Sequence, residues 1–315
     1  MVRSFLLRSV VMGVAALPLS STVLPGESRP NVVLILADDL GYADVGMHGC
    51  RDIPTPNIDR LAASGVRCMS GYSAHPFCSP MRASLMTGRY QHRFGYERNI
   101  AYDPHNRHMG LPESETTIAT RLRQAGYATG MVGKWHLGAA RPFHPRRRGF
   151  DFFYGFLGGG HNYFSVDLLR PVGEGYFQPL ERNGKPEDLT AYLTTALSRS
   201  AVGFIESHRE KPFFLYVAYN APHTPMQAPQ EYLDEAARGS PAAPESGRPS
   251  GATKTQPTKR QIYSAMVHAM DDGIGEILRC LERLKLRERT LVFFLSDNGG
   301  PERSNASRND PLRGQ

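Results

Sequence analysis

Residues 31–39 read NVVLILADD, a run of aliphatic residues that ends in two aspartates. An apolar run without alternating polar positions is typical of a strand that is buried on both faces. Similar runs follow along the chain, and helical patterns separate them. The strand candidates are at 31–37, 127–132, 213–219 and 290–295, and the helix candidates are at 116–124, 194–206 and 258–284. This alternation predicts an α/β fold with a mostly parallel sheet covered by helices on both faces.

The composition is that of a chain that can bury a sizeable core. Hydrophobic residues make up 40% of the 315 residues, charged residues make up 21%, and the formal net charge is +7. No run of basic residues is interleaved with aromatic residues, so we expect no nucleic-acid partner. The one dense basic patch is Arg146-Arg147-Arg148, which is most simply interpreted as a solvated loop.

The first 25 residues have the pattern of a signal peptide. Arg3 and Arg8 flank a short apolar stretch, and residues 10–19 are continuously apolar or small. This segment is too short to span a membrane as a mature helix, and the alternative interpretation is a buried N-terminal helix. We therefore expect a protein exported to the periplasm or secreted, with no stable membrane anchor.

The four cysteines invite different interpretations. In an exported protein Cys50 and Cys68 are a plausible disulfide pair, and Cys280 lies in a helical pattern as a packed thiol. Cys78 begins a short helical stretch that Gly88 ends, with Ser79 and Pro80 suited to the cap and first turn. A helix N-terminus favours anions and activates nucleophiles. Position alone nevertheless leaves Cys78 open as a buried thiol, a disulfide half, a metal ligand or a nucleophile.

Polar residues follow each of the strand candidates. Since the carboxyl ends of parallel strands share one edge of the sheet, where open α/β folds bind ligands, these residues should meet. They are Asp38 and Asp39, Lys134 and His136, His223, and Asp297 and Asn298.

The acidic and amide side chains of this set offer only oxygen ligands. Such a set suits calcium or magnesium rather than zinc, which prefers histidine and cysteine at short spacing. The metal candidates are Asp38, Asp39, Asp297 and Asn298. The basic side chains remain free to hold an anion, and they are Arg82, Lys134, His136 and His223. A dication beside several cationic groups predicts a site for a sulfate or phosphate ester.

Two stretches of the chain resemble the signatures of type I sulfatases. Residues 78–82 (CSPMR), followed by LMTGR at 85–89, resemble the Cys-x-Pro-x-Arg signature, and residues 126–136 (GYATGMVGKWH) resemble the second signature. The resemblance includes residues 29–46 and the LSDNGG stretch at 295–300. It extends over residues 29–315, which it marks as a sulfatase catalytic domain.

The resemblance implies the chemistry of this family. A maturation enzyme oxidises Cys78 to formylglycine, whose hydrate offers one hydroxyl as the nucleophile and a second whose deprotonation expels sulfate. Calcium is implied as the metal, with Asp38, Asp39, Asp297, Asn298 and the oxygen of modified Cys78 as ligands. Arg82 then steadies the hydrate and Lys134 contacts the sulfate. His136 acts as the base, and His223 gives a proton or hydrogen bond to the leaving alcohol.

By the same resemblance, the chain is a sulfuric ester hydrolase that acts on a sulfated carbohydrate or an aryl sulfate. A phosphomonoester or phosphonate hydrolase of the same superfamily is the rival enzyme, and an inactive binder of sulfated glycans is the alternative outside catalysis. Residues 155–160 (GFLGGG) read as a flexible turn. His161 either reaches the cleft or packs within its loop.

The resemblance has two departures. Met81 stands where the family usually has a small residue, which bears on the extent of modification. A further lysine usually follows Pro-Leu-Arg-Gly, but here Gln315 follows Gly314 as the final residue. Loss of that cation could cost on the order of 3 kcal/mol in the barrier. We also expect the smaller C-terminal subdomain of the family to be missing, so that the domain is incomplete.

Overall fold

The structure, a computed structural model, describes residues 29–165, 178–239 and 256–312. The signal peptide expected at 1–25 lies outside the described residues, as do Gly314 and Gln315.

One sheet of seven strands forms the centre of the described part of the chain. Its order is β5-β4-β3-β2-β6-β1-β7. The five strands from β3 to β7 in this order pair in parallel, while β4 and β5 pair antiparallel at one edge. The strands are β1 (Asn31–Ala37), β2 (Ala128–Lys134), β3 (Phe152–Phe156), β4 (Glu181–Arg182), β5 (Lys185–Pro186), β6 (Phe213–Ala218) and β7 (Thr290–Ser296). The mostly parallel sheet predicted from the sequence is confirmed.

Helices lie on both faces of this sheet, as predicted. They are α1 (Pro56–Ala63), α2 (Cys78–Thr87), α3 (Ile118–Gln124), α4 (Leu193–Ser207), α5 (Gln230–Gly239), α6 (Lys259–Arg283) and α7 (Glu302–Asn305). The N-terminus of α6 is fixed by a capping box, in which the side chains of Thr258 and Gln261 satisfy each other's backbone N–H groups. Within the described residues, no helix is both long enough and apolar enough to cross a bilayer.

Alternate residues of the central strands divide the core into two layers. On β6, Phe213, Leu215 and Val217 pack with α1, α4 and α6, whereas Phe214 and Tyr216 pack with α2 and α3. Every residue of β6 is buried. Because no residue of β6 faces solvent, its sequence is continuously apolar.

Three local expectations were wrong. Gly155 and Phe156 belong to β3, so residues 155–160 are not simply a turn. The N-cap of α2 is Phe77 rather than Ser79, because Cys78 already has helical geometry. Cys50 and Cys68 form no disulfide: both are free, and Cys50 instead contacts the carboxylate of Asp52 at 3.2 Å.

Candidate active site

The carboxyl ends of four neighbouring strands meet at the candidate site. Asp38 and Asp39 follow β1, Asp297 and Asn298 follow β7, and Lys134 is the last residue of β2. His223 comes five residues after β6, which lies between β2 and β1 in the sheet. The first two turns of α2 supply Cys78 and Arg82 from one face of the sheet. The structure thus brings together all the side chains that the sequence pointed to.

A buried cluster of charges forms the floor of the site. Lys134 Nζ donates to Asp38 Oδ2 at 2.6 Å, and Arg82 donates to Asp297 Oδ2 at 2.9 Å and lies 3.3 Å from Asp38 Oδ1. All four side chains have no exposed surface. Burial alone would raise the pKa of Asp38, but the charges of Lys134, His223 and Arg82 outweigh it and hold the pKa below 3.8. Asp38 therefore stays ionised.

The other two carboxylates are less fully compensated. Burial and the charge of Asp297 raise the pKa of Asp39, against the opposing effect of His223. Burial and the charge of Asp38 raise the pKa of Asp297 to about 6. Three buried carboxylates so close together need more positive charge than Lys134 and Arg82 provide.

These residues fit a hard dication. The carboxylates of Asp38 and Asp39 and the sulfur of Cys78 each offer a ligand atom within 4.8 Å of one another. Asn298 donates from Nδ2 to Asp39 Oδ1 at 2.7 Å, while its buried Oδ1 has no hydrogen-bond partner. Asp38 Oδ1 is also buried without a hydrogen bond, and its charged contact is the Arg82 guanidinium at 3.3 Å. Orphaned oxygens in a carboxylate-rich site are the groups that a calcium ion would satisfy.

The thiol of Cys78 is buried at the first position of α2. Burial raises its pKa well above the ordinary value; Lys134 opposes this effect, and the neighbouring carboxylates reinforce it. Burial thus opposes the thiolate form that a helix N-terminus favours. An unmodified Cys78 is a poor nucleophile at neutral pH, because the reactive form is the thiolate.

His136 is held in an environment that favours its neutral form. Its Nε2 donates to the carbonyl oxygen of Ile100 at 3.0 Å, and its Nδ1 is buried without a partner. Burial and the charges of Lys134 and Arg82 lower the pKa of His136 well below 6.5. With Nε2 carrying the proton, the lone pair of Nδ1 is left to accept one.

His223 has the opposite environment. Its Nδ1 donates to the carbonyl oxygen of Thr224 at 2.6 Å, and its Nε2 lies 3.7 Å from Asp39 Oδ2. The Asp39 carboxylate thus faces the second ring nitrogen of His223. His223 is thus suited to give a proton or a hydrogen bond.

Several residues that brace the site were missed by the sequence analysis. Ser79 donates from Oγ to the carbonyl oxygen of His136 at 2.6 Å and contacts the hydroxyl of Tyr96 at 2.8 Å. Asn99 Oδ1 accepts from the backbone N–H of Ser79 at 2.9 Å. Ser79 was named only as a candidate for the helix cap, and Tyr96 and Asn99 lie in a region with no periodic pattern.

The loop after β3 supports the site without entering it. His161 is fully buried, and both ring nitrogens face main-chain carbonyl oxygens, those of Asn162 and Gln178. It therefore packs within its loop. Tyr163 donates from its hydroxyl to the carbonyl oxygens of Asn220 and His223, at 2.8 Å each, and so fixes the loop that carries His223.

Comparison with known proteins identifies the family. The sulfatase family model matches residues 30–313. The chain belongs to the sulfatase family. The matched region begins at the residue before β1 and therefore covers the described helices and strands.

Its relatives include enzymes of animals and bacteria. The chain is 37% identical over 288 residues to N-acetylgalactosamine-6-sulfatase of Mus musculus, a match that covers 86% of this chain and 50% of that protein. It is 31% identical over 315 residues to an arylsulfatase of Klebsiella aerogenes, covering 87% and 67% respectively. The chain thus spans about half the length of the mammalian sulfatases that it matches.

One solved structure is similar to this chain in both sequence and fold. The crystal structure of Ps i-CgsB in complex with k-i-k-neocarrahexaose has a TM-score of 0.80 to this structure and 43% sequence identity. The match covers 91% of this chain and 62% of that one. The sulfatase fold therefore extends across the described sheet and helices.

Proposed function

We propose that this sulfatase-family chain forms the catalytic part of a sulfuric ester hydrolase. One observation carries the proposal: Cys78 lies within ligand distance of two carboxylates, beside the buried cations Lys134 and Arg82. Paired carboxylates can hold a dication, and the remaining cations can hold a sulfate ester. Residues 29–315 form the domain that carries this site, and residues 1–25 direct its export to the periplasm or beyond the cell.

Two groups complete the site in this proposal. Calcium, held by Asp38, Asp39, Asp297 and Asn298 together with the oxygen of modified Cys78, supplies a Lewis acid that polarises the sulfate. Formylglycine, made from Cys78 by a maturation enzyme with an external oxidant, supplies two hydroxyl groups on one carbon when it is hydrated. The high pKa of the Cys78 thiol supports this modification, because the unmodified residue would seldom be ionised.

The remaining roles fall to side chains of this chain. Lys134 and Arg82 neutralise the sulfate oxygens and steady the hydrated residue, since both stay charged. His136 accepts a proton at Nδ1, where its lone pair is free. His223 donates toward the leaving alcohol from Nε2. In this proposal His136 acts as the base and His223 as the acid.

The relatives suggest the substrate class. One is named for sulfated N-acetylgalactosamine, and one solved neighbour was crystallised with a neocarrahexaose. We propose that the substrate is a sulfated carbohydrate and that aryl sulfates serve as artificial substrates.

The test is hydrolysis of 4-nitrophenyl sulfate by protein co-produced with a formylglycine-generating enzyme. Mass spectrometry of the peptide that contains Cys78 should show the loss of one sulfur and two hydrogens and the gain of one oxygen. Cys78→Ala is the matched control, and it should retain the fold while losing turnover. The substrate 4-nitrophenyl phosphate separates the sulfatase from a phosphoester hydrolase.

Two results would contradict the proposal. Faster cleavage of the phosphate ester would assign the site to phosphoester hydrolysis. A fully modified Cys78 without turnover of either ester would leave an inactive binder of sulfated glycans as the better description.

A further inference from the structure

A second basic region lies away from the buried site. A cleft of about 470 Å³ opens between residues 107–120 and residues 141–148. Its lining residues are Arg107, Glu113, Glu115, Thr116, Thr120, Arg141, Pro142, Arg147 and Arg148. The sequence interpretation of Arg146-Arg147-Arg148 as a solvated loop is therefore incomplete, because Arg148 is buried.

The charges in this cleft do not balance. Arg148 donates to the carbonyl oxygens of Leu111, Pro112 and Glu115, and so serves as a structural tie. Both carboxylate oxygens of Glu115 accept from Arg89 at 2.7 Å.

The other arginines of the cleft form no ion pair within the described part of the chain. Arg107, Arg141 and Arg147 are exposed, and none pairs with a carboxylate in the described part of the chain. The one remaining acid is Glu113, also exposed. Three unpaired guanidinium groups facing one acid leave a local excess of positive charge, which favours a multiply charged anion.

Along the chain, each wall of the cleft follows a residue of the candidate active site or a residue that contacts it. One wall follows Ile100, whose carbonyl accepts from His136, and the other follows His136 itself. The two walls meet where Leu111 N–H donates to the carbonyl oxygen of Leu137 at 2.9 Å. Arg141 is five residues beyond His136, so the two lie at most about 18 Å apart. This part of the cleft wall is therefore within about 18 Å of His136.

We propose that this arginine cleft binds a further sulfate group of a polymeric sulfated glycan while another sulfate occupies the catalytic site. The proposal rests on the proposed function, and it deepens that function by assigning the substrate class as a polysulfated chain rather than a single sulfated sugar. Arginine suits a sulfate-binding cleft, since each planar guanidinium group can bind two sulfate oxygens at once.

The test compares two triple variants of the full chain that lose equal charge. The cleft variant is Arg107→Gln, Arg141→Gln and Arg147→Gln. The control variant is Arg199→Gln, Lys211→Gln and Arg279→Gln, at exposed positions on α4, in the turn before β6, and on α6. Binding of dextran sulfate is measured at several salt concentrations, with uncharged dextran as the blank. We expect the cleft variant to bind about tenfold more weakly and with a shallower salt dependence, from three lost surface ion pairs.

The outcomes are distinct. An equal loss of binding in both variants would show diffuse attraction to a basic surface and would contradict the proposed cleft site. Unchanged binding in both variants would contradict it as well. Turnover of 4-nitrophenyl sulfate should be the same in the parent and both variants. Because dextran sulfate binding needs no turnover, a failure of the proposed catalytic function would leave this measurement interpretable.

Discussion

Lys134 Nζ lies 2.6 Å from Asp38 Oδ2, and both side chains are fully buried. Lys134 ends strand β2 and Asp38 directly follows strand β1, and β6 separates these two strands, so this ion pair spans the middle of the sheet at its carboxyl edge. Arg82 and Asp297 extend it into a network of four charges. Because these four side chains are fully buried, each charge depends on its partners, and an uncompensated buried ion is costly.

Lys134→Met should therefore destabilise the metal-free protein strongly. Loss of one partner leaves the Asp38 carboxylate buried with less compensation, and we expect the free energy of unfolding to fall by about 3–5 kcal/mol. Urea denaturation measures the change. The control is Lys185→Met at an exposed position of β5, which should change stability by less than about 0.5 kcal/mol. Equal effects of the two substitutions would show that the buried pair is not critical.

Calcium should stabilise the protein through Asp39. An ion that binds only the folded chain, at a hundredfold excess over its dissociation constant, should add about 2.7 kcal/mol to the free energy of unfolding. Thermal melting after chelation and after addition of calcium measures this gain. Asp39→Asn should reduce it severely, whereas Asp188→Asn, at an exposed position, should retain it. A calcium-induced shift in Asp39→Asn as large as in the parent would place the ion elsewhere.

His136 should set the acid limit of the rate. Burial and the charges of Lys134 and Arg82 lower its pKa well below 6.5, so the neutral base persists into mildly acidic solution. We expect kcat/KM to stay level down to pH 6.5 and to fall only below it. His136→Gln keeps an N–H for the carbonyl of Ile100 but removes the basic nitrogen, and it should lower kcat by about 10²–10⁴-fold.

The control for that experiment is His92→Gln, at an exposed position. It should leave both the rate and its pH profile unchanged. An acid limb at or above pH 6.5 in the parent protein would contradict the assignment of His136 as the base.

Asn99 should act as the helix cap that α2 lacks. Phe77 has no side-chain acceptor, so the N–H of Ser79 is satisfied by Asn99 Oδ1 from another segment. Asn99→Ala should cost about 1 kcal/mol of stability. It should also lower kcat/KM by up to about 10²-fold, because Cys78 would shift. Asn99→Asp retains the acceptor and should restore most of both, and equal losses in the two variants would refute a capping role.

His161 should make the protein less stable in acid. Burial lowers its pKa below the ordinary value of 6.5, although hydrogen bonds to Asn162 and Gln178 oppose the shift. Below pH 6.5 the unfolded chain binds a proton that the folded chain excludes, so stability falls as pH falls. His161→Gln should reduce this slope by at most ~1.4 kcal/mol per pH unit.

The matched control for His161 is His105→Gln, at an exposed position. Urea denaturation between pH 5 and 8 compares the two variants with the parent. A slope unchanged in His161→Gln would mean that His161 is already protonated in the fold.

The sequence predicted the sheet well where burial is continuous. The bounds of β1 agree with the predicted strand at 31–37, and β6 differs from its prediction by one residue. The edge strand β7 also differs by one residue, although its apolar Leu291 and Phe293 are exposed rather than buried. A strand buried on both faces needs apolar residues at every position, so its pattern is legible locally. β3 was not predicted, because its FFYGF sequence runs into the glycines that follow and reads as a turn.

The residues of the site were named from the sequence, but their state was not. Asp38, Lys134 and Asp297 could be named because they directly end or follow strands. Residue types at strand ends are local information, and parallel pairing of the strands then brings them to one edge. The roles assigned to them remain predictions.

Only the tertiary structure decided which groups are buried, paired or unpartnered. The neutral thiol of Cys78 and the free Nδ1 of His136 both depend on contacts between distant segments. So do the cap from Asn99 and the open cleft beside Arg141. Charge and protonation depend on the dielectric and the partners around a group, and these are properties of packing that no linear pattern contains.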